Sequence, residues 1–286
     1  MENTLNAKRF SFTKINTFIT CPRKFYLNYC LKLVPRTKSK ALAAGFVMSQ
    51  ALDVYRRTND VKLGIDEMIK TWKTPEADCL DFDADADPQR SLERLIEIFK
   101  AYARFYPDES KFIIMPEVTF QHPLADFNDE IVFDGRTDGC LLVDGTPALI
   151  EDKTTSRMGD FFFREKSNSF QIFWYLWVAK EMGFFKVGDK STTPKAYING
   201  IYIHSKTDRF ERKMTIKTNR SLDYAKDQMV MWIKAIIRAN EAGSWPCDYG
   251  HCEDYGGCQY KCLQGVDLES KMFSRIAQAN FDLRED

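Results

Sequence analysis

The sequence predicts a mixed α/β fold, and three observations carry that prediction. Residues up to about 110 place their apolar side chains at helical spacing. From about residue 111 the period shortens to two, over runs rich in β-branched and aromatic residues. A helical segment then separates those runs from two further strand-like stretches, and a long helix follows them.

The elements follow in order. SFTKINTFITCPRKFYLNYCLKL, from Ser11, has helical spacing interrupted by Pro22, which predicts two helices or a kink. ALAAGFVMSQALDVYRRT and VKLGIDEMIKTWK read as two further helices. The acidic stretch EADCLDFDADADP resembles a calcium loop in its alternating aspartates. Counted from Asp81, however, its sixth residue is Ala86, not Gly, and its twelfth is Leu92, not Glu, so a solvated loop competes with a cation site. PQRSLERLIEIFKAYARFY is a helix with proline at its start. KFIIMPEVTFQH, EIVFDGRTDGCLLVD and PALIEDKTT are strands, the last two joined as a hairpin through DGTP. A helix is expected over 167–182, strands in PKAYINGIYIHSK and RFERKMTIKT, a helix over 221–242, and a short terminal helix.

The 286 residues suffice for one large core. The first residues, MENTLNAKRF, contain no apolar signal core, and no uncharged run approaches the roughly 18 residues of a membrane span. The expectation is a soluble cytoplasmic protein without a membrane partner. Zero net formal charge neither favours nor excludes nucleic acid, because local patches decide such binding. Eight cysteines are too few for a disulfide scaffold, and four of them crowd one region: Cys247, Cys252, Cys258 and Cys262. Their tight spacing, with Gly256 and Gly257 between them, suits a tetrahedral thiolate site, and zinc is the simplest occupant. Cys30, Cys79 and Cys140 read as core cysteines.

The chemistry gathers at the hairpin. Asp138 is expected near the middle of its first strand and Glu151 at the end of the second. Alternation puts Glu151 and Lys153 on one face and turns Asp152 away. Two carboxylates suit Mg²⁺ or Mn²⁺, which polarises a phosphodiester and acidifies water. An adjacent lysine orients or deprotonates that water and offsets charge in the transition state. Read alone, EDK is first a surface ion pair at a strand end, and the other motifs change that reading.

Asp138 in GRTD, then Glu151-Asp152-Lys153, then Gln171 and Tyr175 one helical turn apart resemble the PD-(D/E)XK nuclease superfamily, and within it the RecB-like branch that includes CRISPR-adaptation and AddAB-type nucleases. FSFTKINTFITCPRKFYLNY resembles that branch's opening helices, so the similarity spans roughly residues 10 to 265. It implies a restriction-endonuclease-like mixed sheet flanked by helices. It divides the chain into a helical region over 1–110 that supplies Cys21, a nuclease core over 111–220, and a C-terminal helix with a cysteine cluster over 221–286. It also implies Asp138 and Glu151 as metal ligands joined by the main-chain carbonyl of Asp152, Lys153 assisting the water, and Gln171 and Tyr175 supporting catalysis, with Glu117 in a lesser role. In relatives with an iron–sulfur cluster the ligands map to Cys21, Cys252, Cys258 and Cys262, giving a [4Fe–4S] staple, with zinc as the alternative and Cys247 spare.

The implied activity is a Mg²⁺- or Mn²⁺-dependent deoxyribonuclease, an exonuclease on single strands or duplex ends, in recombination, repair or phage DNA processing, with recombination or helicase proteins as partners. Arg23, Lys24, Arg136, Arg164 and Lys166 are candidate phosphate contacts, and the aromatics of DFFFRE either stack on bases or form a lid on the core. One departure stands out: where relatives carry Gly-x-x-x-His, this chain has Gly45 and Ser49, which leaves Gln50 or Asp53 as weak substitutes. That departure keeps open a DNA-binding or recombination-assembly protein with little cleavage. A zinc-stabilised interaction module is the remaining alternative.

Overall fold

The computed structural model describes residues 8–36, 39–77, 87–253 and 257–284. The candidate calcium loop from Asp81, and Cys79, lie outside these residues. In chain order the elements are β1 (Arg9–Ser11), α1 (Phe12–Thr20), α2 (Pro22–Phe25), β2 (Leu33–Pro35), α3 (Lys40–Thr58), α4 (Val61–Trp72), α5 (Leu92–Phe105), β3 (Ile113–Met115), β4 (Val118–Pro123), β5 (Val132–Thr137), β6 (Cys140–Val143) and β7 (Thr146–Thr155). There follow α6 (Asp160–Ser167), α7 (Phe170–Glu181), a small hairpin of β8 (Lys186–Val187) and β9 (Lys190–Ser191), β10 (Lys195–Tyr202), β11 (Phe210–Ile216), α8 (Asn219–Ala242), α9 (Lys271–Asn280) and β12 (Phe281–Leu283).

The chain forms two compact units, each assembled from separated segments. The larger comprises residues 38–120 and 136–226 and is built on a five-stranded sheet in the order β11-β10-β7-β6-β3. Its β7–β10 pair is parallel and the others are antiparallel, so the sheet is mixed, with helices packed on it, as expected. The parallel pair requires a crossover, and α6 and α7 supply it. Helices α3, α4 and α5 share a core through Met48, Leu52, Met68, Trp72, Ile98 and Phe99, into which Ile201 and Phe210 reach from the sheet.

The smaller unit comprises residues up to 37, 121–135 and 227 onward. In it β1 lies parallel to β5, and β2 pairs with β12. Ser11 caps α1 by accepting a hydrogen bond from the Lys14 amide, and the extended Cys21 before Pro22 separates α1 from α2, the break that proline predicts. Trp245 stacks on Phe25 and Tyr26, and Tyr260 stacks on Phe281 while donating to the Leu33 carbonyl.

Three expectations are corrected. The strand expected through EIVFDGRTDGCLLVD is two strands: β5 ends at Thr137, β6 begins at Cys140, and Asp138 lies in the link between them. Gly139 makes that break. Its φ of +151° is open to glycine, and a Cβ there would come within 2.7 Å of the Pro116 carbonyl oxygen. Second, Glu151 does not end its strand, because β7 runs on to Thr155, carried by its pairing with β10. Third, the helix expected over 167–182 begins only at Phe170. DFFFREKS forms its own helix, because Phe162 and Phe163 are buried apolar residues one face wide.

Candidate active site

The acids, the lysine and the helix pair expected to act together all lie within the larger unit. Period-two geometry in β7 works as expected. Glu151 is buried and pairs with Lys153 on one face, while Asp152 turns to the other. Helix α7 is apolar on nearly every side, with Ile172, Trp174, Leu176, Trp177 and Val178 buried, so its polar Gln171 has to find partners inside the fold. It finds them at this site: its side chain lies beside the Glu151 carboxylate and the Tyr175 hydroxyl and favours the charged form of each. Tyr175 also meets the Arg136 main chain and packs edge-on against Phe120, and burial pushes its hydroxyl up to about 12. Asp138 joins the group from the β5–β6 link, its carboxylate accepting a 2.8 Å hydrogen bond from the Asp152 amide.

The electrostatics are those of a site short of positive charge. Burial raises the Asp138 carboxyl well above the usual range, and the neighbouring charges of Glu151 and Asp152 raise it further. Burial also raises Glu151, against the opposing pull of Lys153 and Gln171. Burial would lower Lys153, but Glu151 and Asp138 outweigh it and hold the ammonium charged. Two crowded, destabilised carboxylates are the donor set a hard divalent cation relieves, so Asp138 and Glu151 fit Mg²⁺ or Mn²⁺. Among the described residues no group of three or more His, Cys, Asp or Glu side chains is arranged to hold a metal ion. A cation at this pair would need further donors, such as main-chain or water oxygens.

Asp152 differs from its neighbours. Its carboxylate is held below the usual range: burial would raise it, but the charge of Arg56 and hydrogen bonds from Arg56 and Asn199 prevail. That carboxylate is committed to Arg56, and only the main-chain carbonyl of Asp152 is left as a donor. Sequence reasoning missed Arg56, although it left a signal. Ala44, Met48 and Leu52 are buried at four-residue intervals in α3, and Arg56 is the next position in that row. A charge at the buried phase of a helix requires a buried partner.

The remaining candidates are placed as follows. Glu117 forms an ion pair with Arg136 at 3.2 Å. Ser49 donates to the Phe46 carbonyl of its own helix, and Asp53 is bound by Arg57 one turn on. Phe162 and Phe163 are core residues and cannot stack on bases. Phe161 is exposed beneath the Arg164 guanidinium, and Lys166 pairs with Glu165. In the smaller unit Arg23 donates to the Val266 carbonyl. There the Cys21 sulfur accepts from the Lys24 and Asp248 amides. Cys247, expected to be spare, lies beside Cys21 and Cys252: burial, with both thiols close by, pushes it up to about 12. Cys258 and Cys262 neighbour each other. As they stand, the thiols are neighbours and not a formed ligand set. Cys30 and Cys140 are buried, and burial raises them to about 11 and 12.

The model of the PD-(D/E)XK nuclease superfamily matches residues 9–263. Among curated proteins none matches. Among solved structures, a chain from Eubacterium rectale described as a candidate exonuclease is similar in fold. It has 14% sequence identity, a TM-score of 0.54 and 87% of each chain covered. No helix among the described residues is long and apolar enough to cross a membrane.

Proposed function

The chain belongs to the PD-(D/E)XK nuclease superfamily, and from that premise we propose that its acid–lysine site hydrolyses DNA phosphodiester bonds with Mg²⁺ or Mn²⁺. The observation that carries this reading is the convergence of Asp138, Glu151, Lys153, Gln171 and Tyr175 on one buried site. Asp138, Glu151 and the main-chain carbonyl of Asp152 would hold the cation. When bound, it polarises the phosphodiester and eases ionisation of water. Lys153, paired with Glu151, is proposed to assist the attacking water and to offset charge on the phosphorane-like transition state. Gln171 and Tyr175, beside the Glu151 carboxylate, are proposed to support it. The substrate is proposed to be single strands or duplex ends. Exonuclease action is named for the structurally similar Eubacterium rectale chain, and it is carried here as a proposal.

The test uses end-labelled single strands, linear duplex and covalently closed circles, each with Mg²⁺, Mn²⁺ or chelator. The expected result is cation-dependent loss of linear DNA, circles left intact, and a fall of at least about 100-fold in Lys153→Ala. Undiminished degradation by Lys153→Ala would overturn the proposal. A second reading, DNA binding with little cleavage, is favoured by Ser49 standing where relatives carry histidine and being bonded to its own helix. Tight DNA binding without turnover in any of those cations would select it.

A separate proposal concerns the thiols. Cys21, Cys252, Cys258 and Cys262 are proposed as ligands of a [4Fe–4S] cluster, or of zinc. Support comes from the presence of Cys21 among the C-terminal thiols although 230 residues separate them in sequence. The thiols take no part in the hydrolytic step.

A further inference from the structure

Arg56 is 2% exposed, and all five of its N–H groups are engaged. Nε donates to Glu109 at 3.3 Å. One Nη1 hydrogen goes to the Asp138 carbonyl at 3.1 Å and the other to Asp152 at 2.5 Å. Nη2 donates to the second Asp152 oxygen at 2.8 Å and to the Tyr102 hydroxyl at 3.3 Å. The cluster closes on itself. Asn199 donates to Asp152 and to Tyr102, Tyr102 donates to Glu109, and Arg212 donates to Asn199, Tyr102 and Glu109. Two guanidinium groups face two carboxylates, so the buried charge balances.

Asp138 needs such a hold because it lies in the link between two strands, where no ladder fixes it. Its carbonyl is held by Arg56, and its carboxylate by the amide of Asp152, which Arg56 also clamps. We propose that Arg56 is a positioning residue that sets Asp138 and the Asp152 main chain in register for cation binding, and that the middle residue of the Glu-Asp-Lys motif serves the site through this buried fork. The inference rests on the reading of Asp138 and Glu151 as cation ligands. A planar fork with five donors does what an ammonium with three cannot.

The test compares wild type, Arg56→Lys and Asp152→Asn by Mn²⁺ titration calorimetry, by steady-state cleavage of linear DNA and by thermal unfolding. The variants are expected to fold, to bind Mn²⁺ about 10- to 100-fold more weakly, and to lose kcat with KM for DNA unchanged. If both variants lose thermal stability but bind Mn²⁺ and turn over as wild type does, the fork is only structural and the proposal fails. If Arg56→Lys does not fold, Asp152→Asn decides, since it keeps the side-chain shape and the main-chain carbonyl. Wild type that neither binds Mn²⁺ nor cleaves overturns the functional reading itself, a result distinct from a variant-only failure.

Discussion

Asp138 and Glu151 are acids kept where a carboxylate is costly. Their protonated forms are favoured in the folded chain, by burial first and, for Asp138, then by the neighbouring charges. A carboxyl raised above its unfolded value binds more protons in the folded state. Its contribution to stability is therefore full below about pH 4 and is lost as pH rises through the folded value. The loss is at most about 1.4 kcal/mol per pH unit for each group. Chelator-treated wild type should thus lose stability between pH 5 and pH 8 relative to Asp138→Asn, and the variant should be the more stable at pH 8 by on the order of 1 kcal/mol. Urea unfolding at the two pH values measures this, and parallel pH dependences would contradict it. The same residues show how far the sequence was legible at this scale. The EDK spacing predicted that Glu151 and Lys153 share a face. The partner that claims Asp152 comes from α3, 96 residues earlier, and no local pattern could name it.

The elements around the site hold it by packing. Helix α3 lies on the face of β7 opposite Glu151, with Arg56 on Asp152 and Gly45 against Thr154. Helices α4 and α5 close on α3 from outside through one tight contact. A Cβ on Gly64 would lie 2.4 Å from the Phe99 ring and 3.2 Å from the Ala51 carbonyl oxygen. Alanine is the better helix former by about 1 kcal/mol, but overpacking costs about 1–3 kcal/mol. Gly64→Ala is therefore expected to lower the unfolding midpoint despite the improved propensity, and a rise in that midpoint would show that Phe99 yields without cost. Periodicity was enough to find α3, α4 and α5. It was not enough at β5 and β6, where an unbroken β-rich run conceals a change of sheet across Asp138 and Gly139.

At the scale of the molecule, each compact unit gathers distant segments, and each gathers a different set of reactive groups. The larger holds the acids, lysine, glutamine and tyrosine. The smaller holds Cys21 with the C-terminal thiols, and Cys247 has joined them where the resemblance left it spare. Iron and zinc analysis of protein purified without oxygen tests the thiol proposal. Brown protein with about four irons per chain, lost in Cys21→Ser, is the expected result. One zinc per chain would replace the cluster, and neither metal would leave these cysteines as packed thiols.

The sequence by itself determined the mixed α/β class, the helix break at Pro22 and the shared face of Glu151 and Lys153, because each is written in local spacing, and its motifs resemble the family that the chain belongs to. Only the tertiary structure decided that Asp138 sits in a link, that Phe162 and Phe163 are core, and that Asp152 is bound by Arg56. Those outcomes depend on which surfaces meet. A buried charge takes whatever partner the fold brings to it, and that partner lies far away in sequence.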